Sequence, residues 1–384
     1  MHTLFQDLRA AVRGLLRNRG FAAAVIATMA LGIGANTAIF SVVYSVVLRP
    51  LPYTRGDDLV ILRQQRPRAG IQAQAFSALE IDDYRQQAKT LESIVEYHNM
   101  WFVLLGRGEP ERVATGVVSW NYFDLFGVRP VAGRTFREGD DRHGADAVLV
   151  LSNAYWKSRF GGDPRVVGQV FEMNDRPHTV IGVLPPIPQF PNENDVYMPV
   201  SACPFRSSEA IRTGRNARMV QAFARVRPAT PLTSTLADLT MVASNLQEAY
   251  PESYPESAGF DATAASLRDE LTRDFRPTLW ILLGAAGFLL LIVCGSVANL
   301  MLARLLKRER EMAIRMSLGA GRWRLVRQLL TESTLLAVAG AVVGLALAAI
   351  SMDLLVRLAG EFTTRAQEIS LNGPVLLSLL ALPC

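Results

Sequence analysis

The chain has 384 residues, of which 50% are hydrophobic and 20% charged, and its formal net charge is +5 at pH 7. This composition excludes a disordered or collagen-like chain. Of only three cysteines, one (Cys203) falls in the large folded segment predicted below, so that segment must fold without an internal disulfide.

Three uncharged runs are long enough to cross a bilayer, which requires about 20 helical residues. The runs are 20–48, 277–303 and 333–352, and they predict transmembrane helices over 20–48, 277–303 and 329–352. The first run is longer than the apolar part of a signal peptide, and no clear cleavage site follows it, so we expect a retained helix. Residues 1–19 have an amphipathic pattern, which fits either a helix in the cytoplasmic membrane interface or an extension of the first span.

Positive charge is concentrated beside these runs. The net charge is +3 over 1–19 and +6 over 304–328, whereas it is −2 over 49–276. Because positive loops stay in the cytoplasm, we expect the N-terminus and 304–328 inside and 49–276 outside the membrane. A nucleic-acid-binding face needs lysines and arginines clustered on a folded domain, and here they lie beside the apolar runs instead. We therefore expect the chain to contact the lipid bilayer and no nucleic acid.

The 228 residues of 49–276 predict an extracytoplasmic domain, and the fold class is α+β with transmembrane helices. The predicted strands are 59–62, 101–105, 113–118, 148–151, 167–173, 178–183 and 220–226, and the predicted helices are 79–97, 121–126, 155–160 and 232–250. The Asn174-Asp175-Arg176-Pro177 segment predicts a hairpin turn. A proline-rich stretch over 185–191 suggests a break between two lobes.

Motifs for catalysis or cofactor binding are absent from the sequence. None of its three lysines follows a glycine, which excludes a Walker A loop, and its four histidines lack a metal-binding spacing. The richest acidic cluster is Glu138, Asp140, Asp141 and Asp146 beside His143, and it does not fit an EF-hand loop. We therefore expect a non-catalytic subunit with no bound metal or cofactor, so any ATP is used by a partner.

Small residues recur four positions apart in two predicted spans. They are Ala30, Gly34 and Ala38 in the first span and Gly340, Gly344 and Ala348 in the third. Small side chains let helices approach closely in lipid, and we expect these faces to pack the helices of a dimer. Glu332, at the start of the third span, is either an interfacial carboxylate or a functional one.

Residues 304–328 predict a shaped cytoplasmic segment: a charged helix that stops near Gly319, followed by a second basic helix from Arg322. We expect this segment to dock a partner, and attraction of its arginines to anionic lipid is the alternative. The candidate coupling residues are Glu311, Arg315, Gly319, Ala320, Arg322 and Trp323.

Several stretches resemble a known family. Residues 311–320 (EMAIRMSLGA) resemble the E-x-A-I-R-x-x-L-G-A motif of FtsX-like permeases, the membrane subunits of MacB-type ABC systems. Residues 118–136, 151–168 and 176–186 resemble the MacB-like periplasmic core domain. Residues 31–52 look like the first span of the acidobacterial duplicated orphan permeases.

This resemblance implies a four-span permease of the bacterial cytoplasmic (inner) membrane, with residues 277–384 as an FtsX-like permease domain. Residues 353–384 are then an external loop and the start of a truncated fourth helix, so we expect a fragment of a longer product. Such permeases pair as homodimers or with a second permease half, and a separate ABC ATPase docks between the second and third spans.

The implied function is coupling of the partner's ATP hydrolysis to conformational change of the extracytoplasmic domain, for export or mechanotransmission. The alternative is a non-transporting membrane scaffold or regulator that binds an extracytoplasmic protein.

Overall fold

The computed structural model describes residues 9, 11–13, 15–105, 109–273, 275–307, 309 and 322–360. It divides into two compact units. Residues 1–49 together with 272–384 form the first, here called the helical unit. Residues 50–271 form the second, here called the inserted domain, because the chain enters it after the first long helix and leaves it before the second.

The secondary structure alternates helices and strands between the long apolar helices. The helices are α1 (Arg19–Val43), α2 (Ala78–Gln87), α3 (Tyr122–Phe126), α4 (Asn153–Phe160), α5 (Glu209–Thr213), α6 (Leu232–Ala249), α7 (Leu267–Thr272), α8 (Arg276–Lys307) and α9 (Arg322–Gly360). The strands are β1 (Leu59–Arg66), β2 (Ile71–Gln74), β3 (Leu91–Leu105), β4 (Glu111–Val118), β5 (Ala132–Gly133), β6 (Val148–Leu151), β7 (Val170–Met173), β8 (Arg176–Val183), β9 (Val196–Pro199), β10 (Gln221–Val226) and β11 (Asp261–Ser266).

Among the described residues of the helical unit, three helices are long and apolar enough to cross a membrane. They cover Arg19–Val43, Arg276–Lys307 and Leu329–Met352, with mean hydropathies of 1.7, 2.5 and 2.4. A π-helical turn over Tyr44–Leu48 continues α1. The predicted fold class, apolar helices around a large mixed α and β domain, is confirmed. The predicted fourth helix lies outside the described residues, as does most of the predicted amphipathic helix.

The strands of the inserted domain form one sheet in the order β11-β1-β10-β3-β4-β9-β6-β8-β5, with β2 on β1 and β7 on β3 and β8. The sheet is therefore not divided at the proline-rich stretch over 185–191, where the sequence suggested a break. After the proline-rich stretch, β9 returns to pair with β4 and β6, and the long strand β3 connects the two halves of the sheet. The first and last strands, β1 and β11, are antiparallel neighbours, with Val60 opposite Ser266.

The predicted helix over 79–97 is only half right. Helix α2 begins at a capping box, in which Ser77 and Glu80 each accept from the other's backbone N–H, and it ends at Gln87. Just after the helix, the backbone N–H and the hydroxyl of Thr90 donate hydrogen bonds to Asp238 of α6, at 2.8 and 2.7 Å. The chain continues as β3, whose first half, residues 91–97, pairs with β10, and this pairing overrides the local helical pattern.

The predicted hairpin is confirmed. Strands β7 and β8 are joined by Asn174 and Asp175, whose φ angles are 48° and 60°. Two central residues with positive φ make the turn whose twist suits a two-residue hairpin. Arg176 and Pro177 already belong to β8, where they pair with Met173 and Glu172.

Helix α6 shows how the sheet is covered. Its buried apolar residues Leu239, Val242, Ala243 and Leu246 recur every three or four positions, as expected of a helix with one face on a core. They belong to the same hydrophobic cluster as residues of β1, β10 and β11. Two further clusters lie elsewhere in the inserted domain, so one continuous sheet supports three cores.

Candidate functional site

The small residues singled out in the sequence are all buried in the helical unit. On α9 they belong to a row of buried positions spaced four apart, which winds slowly around the helix. This row consists of Glu332, Leu336, Gly340, Gly344, Ala348 and Met352. On α1, Ala30, Gly34 and Ala38 are buried as well. The row therefore marks the face of α9 that is turned toward another helix.

The small-residue faces of α1 and α9 lie against each other. A Cβ added at Gly344 would be 2.9 Å from the carbonyl oxygen of Ala30, and one added at Gly340 would be 2.7 Å from the Cβ of Met29. A Cβ added at Gly34 would be 3.0 Å from the carbonyl oxygen of Gly344. These faces therefore pack against each other within one chain, and not between two chains as the sequence suggested. The two backbones are in contact, so a helix from a second chain has no room between them.

The direction of the helices follows from the same contacts. Met29 lies beside Gly340 and Gly34 beside Gly344, so α1 and α9 run parallel. Helix α8 runs the other way. The added Cβ of Gly32 would meet Val293 at 2.7 Å, while Phe21, earlier in α1, lies near Arg304, later in α8. Alternating directions are what three successive membrane crossings require.

An ion pair joins α8 and α9 near the ends that lead into the stretch between them. Arg304 Nη2 lies 3.1 Å from Glu332 Oε2, and the two side chains are only 11% and 5% exposed. The Arg304 guanidinium also lies 4.6 Å from the centre of the Phe21 ring. Of the two alternatives for Glu332, the structure favours a carboxylate turned toward a partner in the interior. The pattern of the sequence did not reveal Arg304 as that partner.

The predicted coupling residues fall mostly outside the described part of the chain. Glu311, Arg315, Gly319 and Ala320 all do so, and Arg322 is the first residue of α9. The Trp323 side chain is 75% exposed. It is thus accessible to a partner or to lipid.

The acidic cluster of the inserted domain is split among separate partners. Asp140 accepts a hydrogen bond from Arg134 Nη1 at 2.6 Å, and Asp141 accepts from the backbone N–H of Trp120 at 3.2 Å. Glu138 faces Arg142 at 3.5 Å. Across the described ranges, no three His, Cys, Asp or Glu side chains come together in a way that could hold a metal ion.

A cleft of about 580 Å³ opens between α2, β3 and α3 in the inserted domain. Its walls include Arg85, Trp120, Asp124 and Asp141. Burial raises the pKa of both aspartates above its usual value. The cleft is therefore an open depression whose lining mixes charged, polar and apolar side chains, and it lacks the enclosed apolar lining of a typical small-molecule site.

His98 on β3 is the most perturbed histidine of the inserted domain. Burial lowers its pKa to about 4, and the positive charge of Arg206 acts in the same direction. Its ring lies 6.3 Å from that of Phe205. Arg206 itself is 1% exposed and is paired with Glu96. The imidazole is therefore neutral in the folded domain at neutral pH.

This predicts a pH dependence of stability. Since the folded-state pKa of His98 lies below 6.5, the unfolded chain takes up the proton first. The folded domain therefore loses stability as the pH falls from 6.5 toward 4. We expect His98→Gln to remove about 1 to 2 kcal/mol of the destabilisation that the native chain shows between pH 7 and pH 5.

Chemical denaturation of the solubilised chain at the two pH values measures this difference. His143→Gln is the matched control, because His143 is exposed. The interpretation fails if His98→Gln and the native chain lose the same stability on acidification.

Comparison with known proteins supports the class that this architecture defines, a membrane protein with a domain inserted between its first and second spans. The family model for the MacB-like periplasmic core domain matches residues 22–242, and that for the FtsX-like permease C-terminal matches residues 283–383. The chain belongs to the MacB/FtsX-like family of ABC transporter permeases. It is thus an inner-membrane protein whose inserted domain is periplasmic.

Among its relatives are two named macrolide export ATP-binding/permease protein MacB. That of Neisseria gonorrhoeae is 25% identical over 330 residues, and that of Campylobacter jejuni is 24% identical over 332. Each alignment covers 85% of this chain and 48% of the relative, so the chain spans about half the length of the curated relatives it matches. The pyoverdine export ATP-binding/permease protein PvdT of Pseudomonas fluorescens is 28% identical over 59% of this chain and 33% of its own length.

Solved structures are also similar. A domain of a putative permease from Porphyromonas gingivalis has a TM-score of 0.44 at 17% identity, covering 56% of this chain and 93% of that domain. The periplasmic region of MacB from Actinobacillus actinomycetemcomitans has a TM-score of 0.41 at 16% identity, covering 58% of this chain and 94% of that region.

Proposed function

We propose that this chain is a permease subunit that couples ATP hydrolysis by a separate ABC ATPase to conformational change of its periplasmic domain, for export or mechanotransmission. The observation that carries the proposal is the basic stretch between α8 and α9, in a chain that both family models match. The relatives are named as ATP-binding/permease proteins, whereas no lysine in this sequence follows a glycine. The ATP is therefore assigned to the partner, and this chain binds no cofactor.

In this proposal the N-terminus and residues 304–328 face the cytoplasm, as their positive charge favours. Glu311, Arg315, Gly319 and Ala320 shape the docking surface, and the exposed Trp323 beside Arg322 anchors it. A shaped charged segment with an aromatic anchor is the kind of surface on which a few residues supply most of the binding energy.

The subunit is proposed to act with a second copy or a second permease half. Because α1 and α9 use their small residues on each other, the pairing face is a different one. Helix α8 offers Gly284, Gly287 and Gly295, where an added Cβ would meet no heavy atom within 4 Å among the described residues. Close approach of another helix fits such a face.

The proposal is tested by purifying the solubilised chain from its native membrane and identifying what accompanies it by mass spectrometry. We expect an ATPase with the unmodified chain and at least about tenfold less of it with Glu311→Lys, because a reversed charge in an interface repels its former partner. Glu309→Lys makes the same change of charge outside the recognised motif and serves as the matched control.

Equal recovery of the ATPase with both lysine variants would remove the docking role of Glu311. Absence of any ATPase, together with recovery of an extracytoplasmic protein in every sample, would support the scaffold function and contradict the permease function.

A further inference from the structure

The pair of Arg304 and Glu332 occupies a special place in the helical unit. Arg304 lies three residues before Lys307, the last residue of α8, and Glu332 lies in the third turn of α9. The proposed coupling segment, residues 304–328, runs from the end of α8 to the start of α9. Phe21 lies against the Arg304 guanidinium, so side chains from all three helices meet at this point.

Stability alone does not account for an ion pair in this position. Charges inside an apolar bundle cost free energy even when paired, and well-packed apolar side chains of similar size hold helices together equally well or better. The neighbouring contact between α1 and α9 does so with small residues and no charge. What a buried ion pair supplies is a defined register, since a shift of one helix along the other would separate the two buried charges.

We propose that Arg304 and Glu332 are positioning residues. They fix the spacing and register of α8 and α9 where these two helices meet the coupling segment. A displacement of that segment by the partner is then transmitted to α8 and α9 as one body, and through Phe21 to α1. This inference rests on the proposed function for its consequence, but the positioning itself is measurable without the partner.

The first measurement is the distance between spin labels at Lys307→Cys and Val326→Cys, taken by double electron–electron resonance on the full chain in nanodiscs. Both sites lie on the exposed surface of their helices, and the native cysteines are replaced beforehand. We expect one narrow distribution for the native pair and a clearly broader one for Glu332→Gln. The charge swap Arg304→Glu with Glu332→Arg should narrow it again.

Two variants keep this test interpretable. Glu309→Gln removes an exposed carboxylate close in sequence to Arg304 and should leave the distribution of spin-label distances unchanged. Arg304→Gln with Glu332→Gln removes both charges, so no unpaired charge is left to unfold the bundle, and we expect a folded chain with the broad distribution. A distribution for Glu332→Gln as narrow as that of the native pair would overturn the proposal.

The second measurement is the ATP hydrolysis rate of the co-purified complex per ATPase recovered. We expect Glu332→Gln to recover the ATPase normally, but with a hydrolysis rate at least about fivefold lower, and the charge swap to restore it. A normal rate with Glu332→Gln would overturn the transmission role. If the unmodified chain recovers no ATPase, the proposed function fails, whereas the spin-label distances still decide the positioning role.

Discussion

Replacing Glu80 with alanine is expected to lower the free energy of unfolding of the inserted domain by about 3 to 5 kcal/mol. The carboxylate is fully buried and accepts hydrogen bonds from the backbone N–H of Ser77, from Arg218 Nε and from the Tyr254 hydroxyl, each at 2.8 Å. The Arg218 side chain is only 5% exposed, so the substitution leaves a buried cation without its counter-ion. It also removes half of the capping box that starts α2.

The matched control lies two residues along the same helix. Asp82 pairs with Arg85 at the surface, where its side chain is 56% exposed, and Asp82→Ala is expected to cost less than about 1 kcal/mol. Glu80→Leu combined with Arg218→Leu should recover part of the loss, because neither charge then remains buried. Denaturant titration of the solubilised chain, followed by circular dichroism, gives all four values. A loss for Glu80→Ala no larger than that for Asp82→Ala would contradict this account.

The second large effect is expected at Gly344. A leucine there has no space, because even its Cβ would stand 2.9 Å from the Ala30 carbonyl oxygen and 3.2 Å from the Gly34 amide nitrogen. These neighbours are backbone atoms and cannot rotate away, so α1 and α9 must separate. We expect Gly344→Leu to destabilise the helical unit by about 1 to 3 kcal/mol, the usual cost of overpacking.

Gly20→Leu provides the comparison, since nothing lies within 4 Å of a Cβ at Gly20. Thermal unfolding of the two variants in the same detergent measures the difference. If Gly344→Leu unfolds at the same temperature as Gly20→Leu, α1 and α9 are not in the close contact described here.

The fold could be predicted from the sequence where a signal is local. Long uncharged runs gave the apolar helices, and the alternation of short apolar runs with turn residues gave the mixed α and β character of the inserted domain. The pair Asn174 and Asp175 indicated a hairpin because the required backbone conformation is favoured by those two residue types. The second half of the predicted 79–97 helix failed, since strand β3 is determined by neighbours that are distant in the chain.

The helix contacts of the candidate site could likewise be predicted only where the signal is local. A spacing of four between small residues identifies the close-contact face of a helix, but it does not say which helix approaches it. For this reason the sequence suggested contacts between two chains, whereas the structure shows contacts within one. The partner of Glu332 was likewise hidden, because Arg304 is 28 positions away and stands among seven other bases in its segment.

The neighbouring position of β1 and β11 has an evolutionary consequence. Strands β1 and β11 are the first and last strands of the inserted domain, and Val60, near the start of β1, lies opposite Ser266, at the end of β11. Domains whose two ends lie together are readily inserted into, or exchanged between, other proteins. The inserted domain is therefore a unit that could be replaced without lengthening or shortening the chain on either side of it.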